Sequence, residues 1–386
     1  MTMIYLDHCA TTPMSESAIQ AYTAAARTYF GNEQSLHEQG YGARQLMWHC
    51  QKNLADILHG DPEGIFFTSG GTESNLYSIL SLVYGNTQRG RHIITSPFEH
   101  PSVYYALQKL ADEGYEIEEI EAEPNGQISL SSLHNCIRSD TILVTICHAS
   151  SETGVIQPLA EIGRILNRKG ILFHSDAVQT FAKLPIDVNE LHLASLSFSA
   201  HKINGPKNMG GCYINPEVLR KSVYNGTVHQ NGFRPGTVDV PGAAAFVTAA
   251  MEMHEDSSLL NLEWKEMQDW VLSQLNMASL TFIGDRKHRM AHHLAFHLKG
   301  IEGQWMMLEC NKRGIAISAG SACKSGHSFP PKGLLAMGLT QDEAHGLFRV
   351  SFGRTTSYSE LEQLVTVLHD IISEKGLITV PFPPSY

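Results

Sequence analysis

Residues 171–214, ILFHSDAVQTFAKLPIDVNELHLASLSFSAHKINGPKNMGGCYI, decide the fold. Short apolar runs at Ile171–His174, Leu193–Ser199 and Gly211–Ile214 read as strands. The first ends in Ser175-Asp176-Ala177-Val178-Gln179. The second runs into Ala200-His201-Lys202-Ile203-Asn204-Gly205-Pro206. Similar runs lie upstream at Ile65–Thr68, His92–Thr95 and Thr141–Cys147. Segments with helical periodicity separate most of them, including Ser74–Val83, Ser102–Asp112 and Leu159–Lys169. Strands alternating with helices imply an α/β unit with a largely parallel sheet covered on both faces. Ligands of such sheets sit beyond the carboxyl ends of the strands. Asp176 and Lys202 both fall there.

Further along, Pro241–Met277 reads as one long helix that connects to a second unit. Residues 278–386 carry strand-like Leu294–Leu298, Ile315–Ser318 and Leu347–Phe352. Helices are expected there at Gln304–Lys312, Lys332–Met337 and Ser359–Ser373, which makes a smaller α+β domain. The tail, VPFPPSY, is Pro-rich and reads as irregular.

Bulk composition narrows the function. The 386 residues are 42% hydrophobic and 17% charged, ordinary for a globular chain. A net charge of −11 gives no electrostatic case for binding a phosphate backbone, so direct nucleic-acid partners are not expected. The N-terminus, MTMIYLDHCATTP, has no basic run before an apolar one, and no long apolar window occurs. A cytoplasmic protein without a membrane span is the expectation. Cysteines at 9, 50, 136, 147, 212, 310 and 323 are scattered without CxxC spacing. They read as neither a disulfide framework nor a zinc site. Histidines are numerous, but there is no HExxH, so no metal site is expected.

Three segments together suggest one ligand. Phe67-Thr68-Ser69-Gly70-Gly71-Thr72 passes from a strand through two glycines into a helix, which suits a phosphate cup as well as a tight capped turn. Asp176 at a strand end suits a cationic partner such as a protonated pyridine, or a helix cap. Lys202 suits a Schiff base with an aldehyde, or a plain solvated amine. Phosphate, ring nitrogen and aldehyde are the three handles of pyridoxal phosphate. Elsewhere, Ser318-Ala319-Gly320-Ser321-Ala322-Cys323-Lys324-Ser325-Gly326-His327 surrounds one thiol with small residues. That composition suits an exposed loop, and Lys324 and His327 favour the thiolate. Arg349, in Phe348-Arg349-Val350-Ser351, reads as a carboxylate clamp or a structural ion pair.

With these segments in view, the chain resembles the cysteine desulfurases of the NifS/IscS type, in the class V aminotransferase group. The likeness runs from YLDHCATTP through FTSGGTES, ETGVIQPL, HSDAVQ, SFSAHKINGPK, RPGT and SAGSAC to RVSFGR. It implies a pyridoxal-phosphate fold of type I, with a mostly parallel seven-stranded sheet flanked by helices. It implies a large domain over 15–260, and a small domain made of 1–14 with 261–386. Lys202 matches the Schiff-base lysine, and His100 matches the catalytic histidine that stacks on the pyridine ring and is, with Lys202, a candidate for the proton shifts. Asp176 matches the partner of the ring nitrogen, and Gln179 the side chain reaching the phenolic oxygen. Gly71, Thr72, Ser199 and His201 match phosphate contacts. Thr237 matches a phosphate contact given by a neighbouring subunit, which implies a homodimer. Arg349 matches the substrate-carboxylate arginine and Cys323 the nucleophile.

The implied reaction takes L-cysteine to L-alanine through a persulfide on Cys323, for delivery to an acceptor protein. Iron–sulfur assembly, tRNA thiolation and thiamine synthesis are the acceptor pathways implied. Ser150-Ser151 stands where the family usually has Asn-Asn, and Ser151 cannot offer an amide donor to substrate or cofactor. Selenocysteine lyase, another class V activity, and a catalytically impaired binding partner are the alternatives.

Overall fold

The computed structural model describes residues 3–275, 279–320 and 330–375. A two-residue strand, β1 (Ile4–Tyr5), comes first. Seven strands follow: β2 (Ile65–Thr68), β3 (His92–Thr95), β4 (Glu116–Glu119), β5 (Thr141–Thr145), β6 (Leu172–Asp176), β7 (Ser195–Ser199) and β8 (Gly210–Ile214). They form one sheet in the order β2-β8-β7-β6-β5-β3-β4. The pairs from β7 to β4 are parallel, whereas β8 runs antiparallel to both β7 and β2. The α/β class and the mostly parallel seven-stranded sheet are those expected from sequence.

Alternation along β7 shows how sequence positions the site. Leu196 and Phe198 turn to one face of the strand and Ser195, Ser197 and Ser199 to the other. Phe198 is fully buried and stacks on Phe181 with ring centroids 4.4 Å apart. Phe246, on the helix Val240–Gln274, closes the cluster at 5.9 Å from Phe198. Truncating such a ring to alanine costs about 3–5 kcal/mol. This aromatic wedge therefore fixes the strand whose opposite face presents hydroxyls.

The long helix begins at Val240, where Asp239 caps Gly242 N and Pro241 occupies the first turn. β4 escaped the sequence reading because Glu116-Ile117-Glu118-Glu119 is too polar to stand out. It is an edge strand paired only to β3, where charge is tolerated. Among the described residues no helix is long and apolar enough to cross a membrane.

Beyond the long helix lie β9 (Leu280–Phe282), β10 (His293–Leu298), β11 (Ile315–Ala316), β12 (Ser318–Ala319) and β13 (Leu347–Ser351). Four of them make an antiparallel sheet in the order β12-β13-β10-β9. β11 instead pairs in parallel with β1, and Asp7 bridges to Ser351. The N-terminal segment thus threads between the C-terminal strands and the large sheet. Its next residues, Cys9 and Ala10, reach the carboxyl end of β7.

Candidate active site

A cavity of about 290 Å³ opens at the carboxyl ends of β6 and β7. Asp176 and Gln179 line it from the end of β6, and Ser199, His201 and Lys202 from the end of β7. Gly71 and Thr72 line it from the start of the helix Gly71–Gly85, and His100 from the start of the helix Pro101–Asp112. Ser151 and Arg349 complete the set. Thr237 is exposed and does not line the cavity of its own chain. Cys323 lies outside the described residues.

At the glycine turn, Gly70 has φ 147° and no side chain caps the helix that follows. The first N–H groups of that helix are left for a ligand. A Cβ on Gly71 would sit 2.6 Å from Val178 Cγ2, so any larger residue there would have to push Val178 aside. Nearby, Ser199 Oγ is buried and has no hydrogen-bond partner among the described residues. His201 Nδ1 meets Thr11 Oγ1 at 3.1 Å. Burial first, then the Lys202 and Lys207 ammoniums, push the His201 pKa down to about 4, so its imidazole is neutral.

Asp176 is buried, with Oδ1 accepting from Val178 N at 2.9 Å and Oδ2 from Asn75 Nδ2 at 2.7 Å. No ion pair among the described residues includes it, so the buried carboxylate has no side-chain cation bonded to it. Gln179 Nε2 donates to Cys9 O at 3.1 Å, whereas its buried Oε1 has no partner among the described residues.

Lys202 ends a short 3-10 turn, Ala200–Lys202, directly after β7. Its Nζ donates to Cys9 O at 2.5 Å and Ala10 O at 2.8 Å. Burial holds its pKa below the usual lysine value, opposed by the Cys9 thiol and reinforced by Arg349. A larger share of neutral amine is then present near neutral pH, as a nucleophilic or basic lysine requires.

Arg349 crosses from β13. Its Nη1 donates to Ser151 O at 2.6 Å and its Nη2 to Ala319 O at 3.2 Å, while the buried Nε has no partner among the described residues. The structural ion-pair reading therefore fails among the described residues, because the guanidinium partners are backbone carbonyls. Ser151 takes part through its main chain.

These features fit pyridoxal phosphate. Ser199 Oγ and Gln179 Oε1 are buried polar atoms in want of partners. Asp176 is a buried anion in want of a cation, and the uncapped helix start offers donors to an anion. Four further residues of the site were not singled out from sequence. Asn75 lines the cavity one helical turn after Gly71, and that spacing was the available signal. His174 precedes Asp176 by two along β6, on the same face. Cys9 and Ser102 gave no signal, because tertiary contacts alone bring them in.

The aminotransferase class-V family model matches residues 4–364. A putative cysteine desulfurase NifS of Bacillus subtilis (strain 168) is 42% identical over 367 residues, covering 94% of this chain and 93% of the relative. A protein of the same description from Halalkalibacterium halodurans is 39% identical over 374 residues, covering 97% and 99%. Among solved structures, a NifS-like protein matches with a TM-score of 0.90 at 28% identity, covering 97% of this chain and all of that one. The fold and cavity are those of a type I pyridoxal-phosphate protein, and the chain belongs to the aminotransferase class-V family. Within that family it falls among the NifS/IscS cysteine desulfurases.

Proposed function

We infer that this protein is a cysteine desulfurase that converts L-cysteine to L-alanine and hands the sulfur on from Cys323. The observation that carries the reading is one cavity lined by Lys202, Asp176, His100, Gln179, Ser199 and Arg349. Pyridoxal phosphate, when bound, supplies an electron sink for the α-carbon of an amino acid. Gly71, Thr72, Ser199 and His201 are the chain's phosphate-holding groups. Asp176 would hold the ring nitrogen and favour its protonated form, and Gln179 would hold the phenolic oxygen. Lys202 is the amine that would hold the cofactor aldehyde, and its Nζ would move the proton during turnover. Arg349 orients the substrate carboxylate by exchanging one of its backbone carbonyl partners for it.

The Cys323 thiolate then attacks the substrate sulfur. A sulfur–sulfur bond forms, the carbon–sulfur bond breaks toward carbon, and protonation there yields alanine. The persulfide passes to an acceptor protein in the cytoplasm, as in iron–sulfur assembly, tRNA thiolation or thiamine synthesis.

The exposed Thr237 fits a contact made in the cavity of a second copy, within a homodimer. Leu219, Tyr224 and Val228, exposed apolar side chains a short way upstream, support an interface on that side. The division into 15–260 and 1–14 with 261–386 belongs to the same reading, supported by the pairing of β1 with β11.

The test is Cys323→Ala. The variant should keep the yellow cofactor absorbance and lose sulfide and alanine formation from cysteine. Undiminished alanine formation in the variant would refute Cys323 as the nucleophile, whereas a wild-type protein that binds the cofactor but forms no alanine from cysteine would refute the desulfurase reading and favour another class V activity.

A further inference from the structure

His100 is a candidate for proton transfer, and its hydrogen bonds limit what it can do. Its Nδ1 accepts from Ser102 N at 3.2 Å and lies 2.8 Å from Ser102 Oγ. Which of these atoms carries hydrogen follows from Asp176. A carboxylate only accepts, so the Asn75 group facing Asp176 Oδ2 at 2.7 Å is the amide nitrogen. The second hydrogen of that nitrogen points to Ser102 Oγ at 2.9 Å. Ser102 thereby accepts from Asn75, and its own hydrogen is free to go to His100 Nδ1.

The other end of Asn75 obeys the same direction. Its Oδ1 takes the Nε2 hydrogen of His174 at 3.2 Å, and His174 Nδ1 takes the hydrogen of Ser195 Oγ at 2.7 Å. Burial pushes the His174 pKa down to about 3, as a neutral ring in this chain requires. Asn75, His174 and Ser195 are fully buried and Ser102 is 1% exposed, so water is not at hand to replace a lost bond.

We propose that Asn75 and Ser102 act as positioning residues that lock His100 in its neutral Nε2–H tautomer. His100 then presents a hydrogen-bond donor to the cavity and accepts no proton there. A proton on Nδ1 would displace two donors at once, and both would then be left unpaired in the interior. No hydrogen bond among the described residues occupies Nε2, and the ring lines the cavity. The charged groups facing the ring are Asp176, from β6, and Lys202, after β7. Burial and Lys202 act against the imidazolium, while Asp176 acts for it; burial is the largest of the three. A neutral imidazole that donates from one nitrogen polarises a ligand without exchanging protons with it. The base work of the cavity then falls to Lys202. This last consequence rests on the desulfurase reading, whereas the tautomer rests on hydrogen-bond direction alone.

Nitrogen NMR of the holoprotein labelled with ¹⁵N-histidine tests it, with His100 identified by the signals lost in His100→Asn. The expected spectrum shows Nδ1 bare and Nε2 protonated at neutral pH, unchanged through the range where a free imidazole titrates. Ser102→Ala should let the His100 signals move toward imidazolium on mild acidification, and add an acidic limb to the pH profile of turnover. Ser102→Thr, which keeps the hydroxyl, should restore the wild-type spectrum and profile. An Nδ1–H tautomer, a wild-type imidazolium at neutral pH, or a Ser102→Ala spectrum identical to wild type would overturn the proposal. None of these results bears on Cys323, whose test stands apart.

Discussion

The large and small sheets border one cavity, but they present their polar groups to it in different states. On the large-sheet side, among the described residues, Ser199 Oγ and Gln179 Oε1 are buried and unpartnered, and Asp176 has no cation bonded to it. On the small-sheet side, Arg349 spends Nη1 and Nη2 on the carbonyls of Ser151 and Ala319. An orphaned buried polar atom destabilises the empty protein by about 1–3 kcal/mol, and that loss is recovered when a ligand arrives. The guanidinium, with Nη1 and Nη2 bonded and only Nε without a partner among the described residues, must trade one of those bonds for another. The first state suits a resident group that is held continuously. The second suits a substrate that comes and goes.

Three substitutions break or sharpen this contrast. The largest effect is expected from Lys202→Ala, on the resident-cofactor side. Turnover of cysteine to alanine should fall by ~10²–10⁴-fold, because the proton-moving amine is gone. A variant that keeps a tenth of wild-type turnover would remove Lys202 from the chemistry. Next comes Arg349→Lys, on the substrate side. It keeps the charge but loses the planar fork. KM for cysteine should rise by about 10- to 100-fold, the equivalent of one charged hydrogen bond of about 1.5–3 kcal/mol, while the absorbance of bound cofactor is unaltered. A changed cofactor spectrum with KM intact would place Arg349 on the wrong side of the comparison.

Ser199→Ala should give the smallest and most discriminating effect. The cofactor dissociation constant should rise by up to about 10- to 100-fold, through loss of one hydrogen bond to a charged group. Urea denaturation of the cofactor-free protein should show no loss of stability, and a gain of up to ~1 kcal/mol, since an orphaned hydroxyl has been removed. Destabilised apoprotein with unchanged cofactor affinity would show that Ser199 serves packing rather than a phosphate.

Much of the first region was readable from sequence. Lys202 and Asp176 follow apolar strands, and the rule that ligands gather at strand carboxyl ends makes no demand on tertiary detail. Gly70-Gly71 announced a tight turn, and the structure puts Gly70 at positive φ and Gly71 close against Val178. The second region was less legible. Arg349 stood out as a charge in an apolar strand, but whether it served an ion pair or a ligand could not be read from its neighbours in sequence. Its partner Ser151 was singled out for its side chain, whereas the structure uses its carbonyl. Asn75 and Ser102 were overlooked, because a buried asparagine looks like any other residue of an N-terminal helical turn until His174 and Asp176 are seen beside it.

The sequence by itself determined the alternation of strands and helices, and hence a largely parallel sheet with its ligand groups at one edge. Periodicity and turn chemistry are local, so they survive without coordinates. The tertiary structure alone decided which way the hydrogens of that edge point, that Cys9 and Ala10 anchor Lys202, and that Arg349 rests on backbone carbonyls. Each of those depends on contacts between segments far apart in the chain, and hydrogen-bond direction is a property of the whole buried network rather than of any one residue.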